Sequence, residues 1–266
     1  MKIDALIVVY NKDCVNSQSL LATIKHQDMF NNIIVFDNST IKNNNQKFCK
    51  ENNIIYFTES KNLGLSKAYN FVLNKINLSN DLYLMILDDD TKLTDEYFYE
   101  VEKEIMNNYD ILLPIVVSKN QIISPANIQF NCRVKMIESI NDINSNKITA
   151  INSGMVVKTE YYKMNRYNEN IFLDYVDHEF MRTARINKCK IRVLNSKIYQ
   201  SFSRNEKQDI SSLKTRFHIY KKDFKVYCNK CNNIAFYYAN ILKFAISNSI
   251  KYNNLVFMLE VFRKGK

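Results

Sequence analysis

Glycine and proline are nearly missing from this 266-residue chain, three of one and two of the other, and they gather into no flexible linker. No internal repeat marks a second unit either, so the length points to one large domain, or one domain with a helical appendage. The six cysteines, Cys14, Cys49, Cys132, Cys189, Cys228 and Cys231, lack the spacing of a disulfide framework. That argues against a small stapled secreted fold and fits a reducing compartment. Cys228-x-x-Cys231 has no second pair at zinc-site spacing, so no metal or redox role is expected of it. No secretory signal is expected, because Asp4 interrupts what would be its apolar region and residues 3–10 read as a first strand. The apolar stretches near the C-terminus are broken by Lys243 and several asparagines, too often for a bilayer span.

What is present suffices for a full core: 46% of the residues are hydrophobic, which excludes a disordered chain. The net charge of +10 is uneven. Residues 204–266 hold 13 Lys and Arg against 4 Asp and Glu, or +9, which leaves +1 for the rest. The wealth of Asn, Lys and Ile is read as the mark of an AT-rich genome, and no nucleic-acid partner is expected.

Strand and helix alternate over the first ninety residues. Apolar runs at 3–10, 33–36, 54–57 and 83–87 are separated by amphipathic or polar helical stretches at 17–26, 43–51 and 65–73. That pattern implies an α/β fold with a mostly parallel central sheet and flanking helices. Helices are expected at 97–108 and 177–187, and strands at 111–117, 122–124, 147–158 and 190–194. After Lys214 the chain reads as helical. One stripe carries Ile234, Tyr237, Tyr238, Ile241 and Ala245, and another Leu255, Met258, Leu259 and Phe262.

The most informative run is Tyr83-Leu-Met-Ile-Leu-Asp-Asp-Asp-Thr91, a buried strand that ends in three carboxylates. Ligands of open α/β sheets bind at such strand ends. Alternation sends Asp88 and Asp90 to one side, where two hard oxygen donors could share a divalent cation with a diphosphate. The same acids could instead be turn formers ahead of a helix capped by Thr94.

The order of motifs decides between these. Val8-Val9-Tyr10-Asn11, Val35-Phe36-Asp37-Asn38-Ser39, Asn62-Leu-Gly64-Leu-Ser-Lys-Ala68-Tyr-Asn70, Leu87-Asp-Asp-Asp-Thr91, Asn152-Ser-Gly154 and Phe172-Leu-Asp174-Tyr-Val-Asp177-His-Glu179-Phe180 follow one another from residue 3 to about 223. Together they resemble the family 2 inverting glycosyltransferases of GT-A fold, in particular their rhamnosyltransferase and galactofuranosyltransferase-like branch. The resemblance implies a GT-A domain at 1–203 and a helical basic segment at 204–266 that serves the acceptor side, a membrane surface or an oligomer contact.

It also implies roles. Tyr10, Asn11 and Asp37 would hold the nucleobase, and Asn62, Gly64, Ala68 and Asn70 the nucleotide sugar. Gly64 permits a strained turn there, and Ala68 a close helix. Asp88 would contact the ribose or lie near the metal, and Asp90 would coordinate Mn2+ or Mg2+. Asp89 is grouped with the nucleotide-sugar residues but occupies a position that varies in the family, and is read as a spectator. Asp177 would be the general base, with Gly154 and Glu179 on the acceptor side or in support. Carboxylates at a helix start could also simply complement its dipole, most of all Glu179.

Two departures stand out. Where relatives carry a metal-site His, this chain offers Gln200, whose amide oxygen can ligate Mg2+ or Mn2+. A segment that ends in Arg-Asn in the family ends here in Lys222-Asp223. The implied protein is a cytoplasmic enzyme, peripheral on the inner face of the cell membrane. It would transfer sugar from a UDP- or dTDP-linked donor to a glycan or lipid-linked acceptor in bacterial surface polysaccharide synthesis. Two other readings compete. A phosphotransferase using Asp88 is weakened by the position of the triplet after about the fourth strand, and a basic nucleic-acid-binding module by aromatics that fall on helical stripes.

Overall fold

The computed structural model describes residues 2–76, 78, 82–200 and 210–263. Four apolar runs become parallel strands, β1 (Lys2–Val9), β2 (Phe30–Asp37), β3 (Ile55–Thr58) and β4 (Leu82–Asp88), in the order β3-β2-β1-β4. Between them run α1 (Gln18–Lys25), α2 (Asn45–Glu51) and α3 (Leu65–Leu73). Beyond β4 lies β10 (Met155–Lys158), antiparallel to both neighbours, then β5 (Ile111–Ser118) and β11 (Ile191–Tyr199), parallel to each other. A hairpin strand, β6 (Gln121–Ser124), pairs with β5.

Alternation along these strands builds two cores. Leu6, Val8, Ile34, Phe36, Leu84 and Ile86 pack with α3 and α5 (Val176–Ile186). Ala5, Ile7, Val9, Val35, Met85 and Leu87 pack on the other face with α1, α2 and α4 (Asp95–Glu104). Each such side chain contributes roughly 1.5–3 kcal/mol by leaving water, so the sheet is held from both sides and its loops are free to carry chemistry. Thr94 caps α4, its side chain accepting from Tyr97 N, and the helix begins two residues before the sequence predicts.

A single strand is expected over 147–158, and the structure divides it. β9 (Ile148–Thr149) joins β7 (Ala126–Gln129) and β8 (Arg133–Lys135) in a small antiparallel sheet, while β10 belongs to the large one. The break is at Gly154, whose φ of +72° stops the extended run. β7 and β8 are too short to show an alternation in the sequence.

The C-terminal part folds into α6 (Ile210–Lys230), α7 (Ile234–Lys251) and α8 (Val256–Phe262) around a third core of Phe217, Phe224, Tyr227, Tyr237, Ile241 and Phe257. Two expected stripes need correction. Ile234 and Tyr238 do not share the buried face of Tyr237, Ile241 and Ala245, and Leu255, Leu259 and Phe262 are 70–78% exposed while Phe257 turns inward. The outer face of α7 carries instead Tyr238, Leu242, Ile246 and Ile250, four residues apart along the helix. Among the described residues no helix is long and apolar enough to cross a membrane, and no group of three His, Cys, Asp or Glu could hold a metal. The expected boundary at 203/204 lies outside the described residues.

α6 is fastened to the rest by hydrogen bonds, an ion pair and stacked rings. The Asp223 carboxylate accepts the backbone N–H groups of Phe172, Leu173 and Asp174 at 2.8, 2.7 and 2.9 Å. Arg216 pairs with Asp174 through both Nη atoms, and Tyr175 stacks on Phe224 and Tyr227 with centroids 4.9 and 4.8 Å apart. The departure at Lys222-Asp223 therefore has a structural meaning: the aspartate holds the loop that leads into α5.

Candidate active site

Asp88 closes β4 beside Val8 of β1, and Asp89 and Asp90 lie in the turn beyond. Asp88 and Asp90 therefore meet because the chain turns, where alternation alone is expected. Lys92 and Tyr199 exchange backbone hydrogen bonds of 2.8 and 3.0 Å, which brings the end of β11 alongside the triplet. Gln200 follows at once. Its Nε2 is 3.2 Å from Asp88 Oδ2 and 3.5 Å from Asp90 Oδ1. Ser153 donates a short hydrogen bond to Asp88 Oδ2, and its Oγ is 3.3 Å from Gln200 Oε1. Burial raises the Asp88 carboxyl to about 6; the Ser153 bond opposes the rise, and the charges of Asp90, Asp177 and Asp89 add to it.

Asp89 leaves this group. Its Oδ1 pairs with Lys12 at 3.1 Å, and its carbonyl accepts from Ser17 Oγ, so it ties the triplet to the loop after β1.

On the other side of the β4 edge, Tyr10 is 49% exposed at the rim. Asn11 turns the chain with φ +50° and joins the loops, its N–H donating to Ser39 Oγ and its Oδ1 accepting from Thr40 N. Asp37 is buried. Its Oδ2 accepts from Asn43, Asn45 and Tyr56 at 2.8–2.9 Å, and its Oδ1 from Ser39 N at 3.0 Å. Burial would raise this carboxyl, but the bonds from Ser39, Asn45 and Asn43 outweigh it and hold it below its ordinary value. Asn62 Oδ1 accepts from Asn38 Nδ2 and Gly64 N and shapes the turn before α3.

Three residues expected at the nucleotide sugar also have places in the fold. Gly64, at φ +77°, has no room for a Cβ, which would meet the Phe172 ring and carbonyl oxygen at 2.5 Å; the glycine seats α3 against the Phe172 loop. Ala68 is wholly buried in the core. Asn70 spends its amide on Tyr167 and Glu169, donating to Tyr167 O and Glu169 Oε1 and accepting from Tyr167 N. Gly154 is likewise support, since a Cβ would meet Ile198 and Pro114 at 2.7 and 2.9 Å and its carbonyl accepts from Tyr97 OH.

Asp177 stands in the first turn of α5, after Tyr175 at φ +66°. Its Oδ1 accepts from His178 N at 2.7 Å, and its side chain remains 20% exposed. His178, whose Nδ1 lies 2.8 Å from Thr149 Oγ1, has Nε2 4.0 Å from the same Asp177 oxygen. Glu179 is buried, its carboxyl raised by desolvation against the pull of Lys230 and Arg182. Sequence reasoning missed Ser153, Lys12 and Tyr69. Tyr69 is buried with its hydroxyl unpartnered, as is Asn152 Oδ1, and burial with the nearby Asp88 charge raises it well above its ordinary value. Ser153 and Tyr69 both sit inside recognised motifs, which is the signal that could have found them.

The site suits a hard divalent cation. Asp88, Asp90 and Gln200 bring oxygen-bearing side chains to one point, and the Gln200 amide turned about its last bond offers Oε1 where Nε2 now lies.

A sheet of this order with paired acids at the end of β4 defines a GT-A nucleotide-sugar transferase, and solved structures of that class share it. A TarS structure of Staphylococcus aureus matches with a TM-score of 0.54 at 15% identity, covering 86% of this chain and 44% of that one. Glucosyl-3-phosphoglycerate synthase of Mycobacterium tuberculosis, solved with Mn2+, UDP and glucosyl-3-phosphoglycerate, matches with a TM-score of 0.57 at 7% identity, covering 87% and 80%. The chain belongs to glycosyl transferase family 2, whose sequence profile matches residues 4–167. A dTDP-rhamnosyl transferase, RfbF of Shigella flexneri, is 25% identical over 181 residues, 66% of this chain, which spans 60% of that relative's length.

Proposed function

We propose that this glycosyltransferase moves a hexose or deoxyhexose from a dTDP- or UDP-linked donor to a glycan or lipid-linked acceptor, with inversion, in the synthesis of a bacterial surface polysaccharide. The observation that carries the reading is the convergence of Asp88, Asp90 and Gln200 at the sheet edge, with Asp177 near enough to raise Asp88. The similarity to a dTDP-rhamnosyl transferase favours dTDP-rhamnose as donor.

Tyr10 offers an exposed ring to the base. Asp37, whose hydrogen bonds keep its carboxyl below the ordinary range, would accept from a base N–H. Asp88, Asp90 and Gln200 would hold Mn2+ or Mg2+ against the diphosphate, where the ion acts as a Lewis acid that offsets charge on the leaving group. The free Oδ2 of Asp177 takes the proton of the acceptor hydroxyl while that oxygen attacks the anomeric carbon. The bond from that carbon to the diphosphate oxygen breaks on the opposite face, and its electron pair leaves with the diphosphate. One displacement inverts the anomeric centre.

Release of free nucleotide from a panel of UDP-, dTDP- and GDP-sugars tests the donor. Turnover confined to GDP-sugars, or absent with all, would sink the reading. A pH dependence follows from Asp88. The ionised carboxylate is the form that binds a cation, and this group ionises near 6, so nucleotide–Mn2+ affinity is expected to fall as pH drops through about 6. Affinity flat between pH 5 and 7 in calorimetry would contradict it.

The reading also places the enzyme on the cytoplasmic face of the membrane. Tyr238, Leu242, Ile246 and Ile250 on α7 and Leu255, Leu259 and Phe262 on α8 are exposed apolar residues in a segment of strong positive charge, a combination suited to anionic lipid. The chain is expected to float with anionic vesicles and to lose this with Ile250→Asp and Leu259→Asp. Equal flotation with neutral lipid, or none, would reassign the face to a contact between copies.

A further inference from the structure

A cavity of 790 Å3 lies where α5, the turn between β7 and β8, and the turn between α6 and α7 meet. Its walls carry Lys147, Arg182 and Arg185 and no carboxylate. Arg182 and Arg185 stand one turn apart on α5 and so come off neighbouring positions of one face. Among the described residues none of the three cations makes an ion pair within 4.0 Å. Arg185 Nη1 donates to Ile148 O at 2.5 Å, which fixes the guanidinium and leaves its other N–H groups to spare. Glu179, one turn before Arg182, is buried and forms no salt bridge with it. Three like charges around one concave surface repel, and an anion placed among them removes that cost.

The remaining walls say what kind of molecule bears the anion. Asn131 and Asn232 line the cavity with amides that both donate and accept, which suits hydroxyl groups. Phe130 stands at the same cavity, 71% exposed and at φ +48°, a conformation a bulky residue rarely adopts. An exposed ring held in this way offers an apolar plate for the C–H face of a sugar. Arg182 and Arg185 follow Asp177 by five and eight residues on the same helix, about 8 and 12 Å at 1.5 Å per residue. Cavity and base thus lie along one helix, within the span of an oligosaccharide.

We propose that this cavity reads the charge of the acceptor: it holds the carboxylate or phosphate of an acidic sugar next to the one that receives the transferred residue. The inference rests on the transferase reading for why a glycan lies there, and on the cavity alone for its acidity.

Calorimetry on the full chain with glucuronate, glucose 1-phosphate and glucose, in EDTA and without nucleotide, tests it. Saturable binding of an acidic probe at least ~10-fold tighter than glucose is expected, weakened about ten-fold by Arg182→Gln and by Lys147→Gln. Lys147→Gln should keep the wild-type melting temperature, and both variants the wild-type UDP–Mn2+ affinity. Tighter glucuronate names a carboxylate as the ligand, and tighter glucose 1-phosphate a phosphate. Equal affinity for all three probes, or wild-type preference retained in Arg182→Gln, would overturn the site. Acid-sugar binding by a wild-type chain that ignores UDP–Mn2+ would sink the transferase reading and leave the anion site standing.

Discussion

Asp177→Asn is expected to slow sugar transfer by ~10²–10⁴-fold while donor binding and fold survive, because an acceptor hydroxyl is a poor nucleophile at neutral pH without a base. The substitution is nearly isosteric. An asparagine Oδ1 can still accept from His178 N, as Asp177 Oδ1 does at 2.7 Å, so the first turn of α5 keeps its local bond. What is lost is the second carboxylate oxygen, the one left to receive a proton. Glu179→Gln should act mainly on stability, since Glu179 is buried and faces the cations of Lys230 and Arg182. Near-normal turnover in Asp177→Asn, or a product with the donor's anomeric configuration retained, would sink the assignment.

The second large effect concerns the cation. Nucleoside diphosphate affinity should fall about a hundred-fold or more on addition of EDTA, and by a similar factor in Asp90→Asn, since loss even of a ligand's supporting partner costs 10–100-fold. Without a cation, Asp88, Asp90 and a diphosphate would bring like charges together. Gln200→His should shift the preference toward Mn2+, because imidazole suits that ion better than an amide does. Affinity that ignores both EDTA and Asp90→Asn would refute the metal role.

Much of this was legible in the sequence, and the reasons divide by range. The strands of the parallel half were readable because a strand buried on both faces is a continuous apolar run. The acids at the end of β4 were readable because charge cannot stay inside such a run. Gln200 could be placed beside them only through the family pattern, since its position depends on the bridge between Lys92 and Tyr199, more than a hundred residues apart in sequence. The sequence is ambiguous where one residue type serves two ends. Gly64, Ala68 and Asn70 stand in a ligand-binding motif and are also held by Phe172, the core and Tyr167, and no local pattern separates a small residue that admits a substrate from one that admits a neighbouring loop. β7 and β8, a local hairpin, are too short to show an alternation. The role of Asp223 was hidden because the N–H groups it gathers lie far from it in the chain.

That last residue bears on how such enzymes can be recombined. Asp223 gathers three N–H groups from the loop that presents Asp177, so the shape of that loop is written partly in α6. A hybrid in which the C-terminal helices come from another family member, to redirect the acceptor, would separate the loop from its clasp unless residues 172–174 travel with the helices. The natural unit of exchange is thus neither the sheet nor the helical segment. It is the loop and α6 together, inherited as one cassette across whatever boundary the chain's composition suggests.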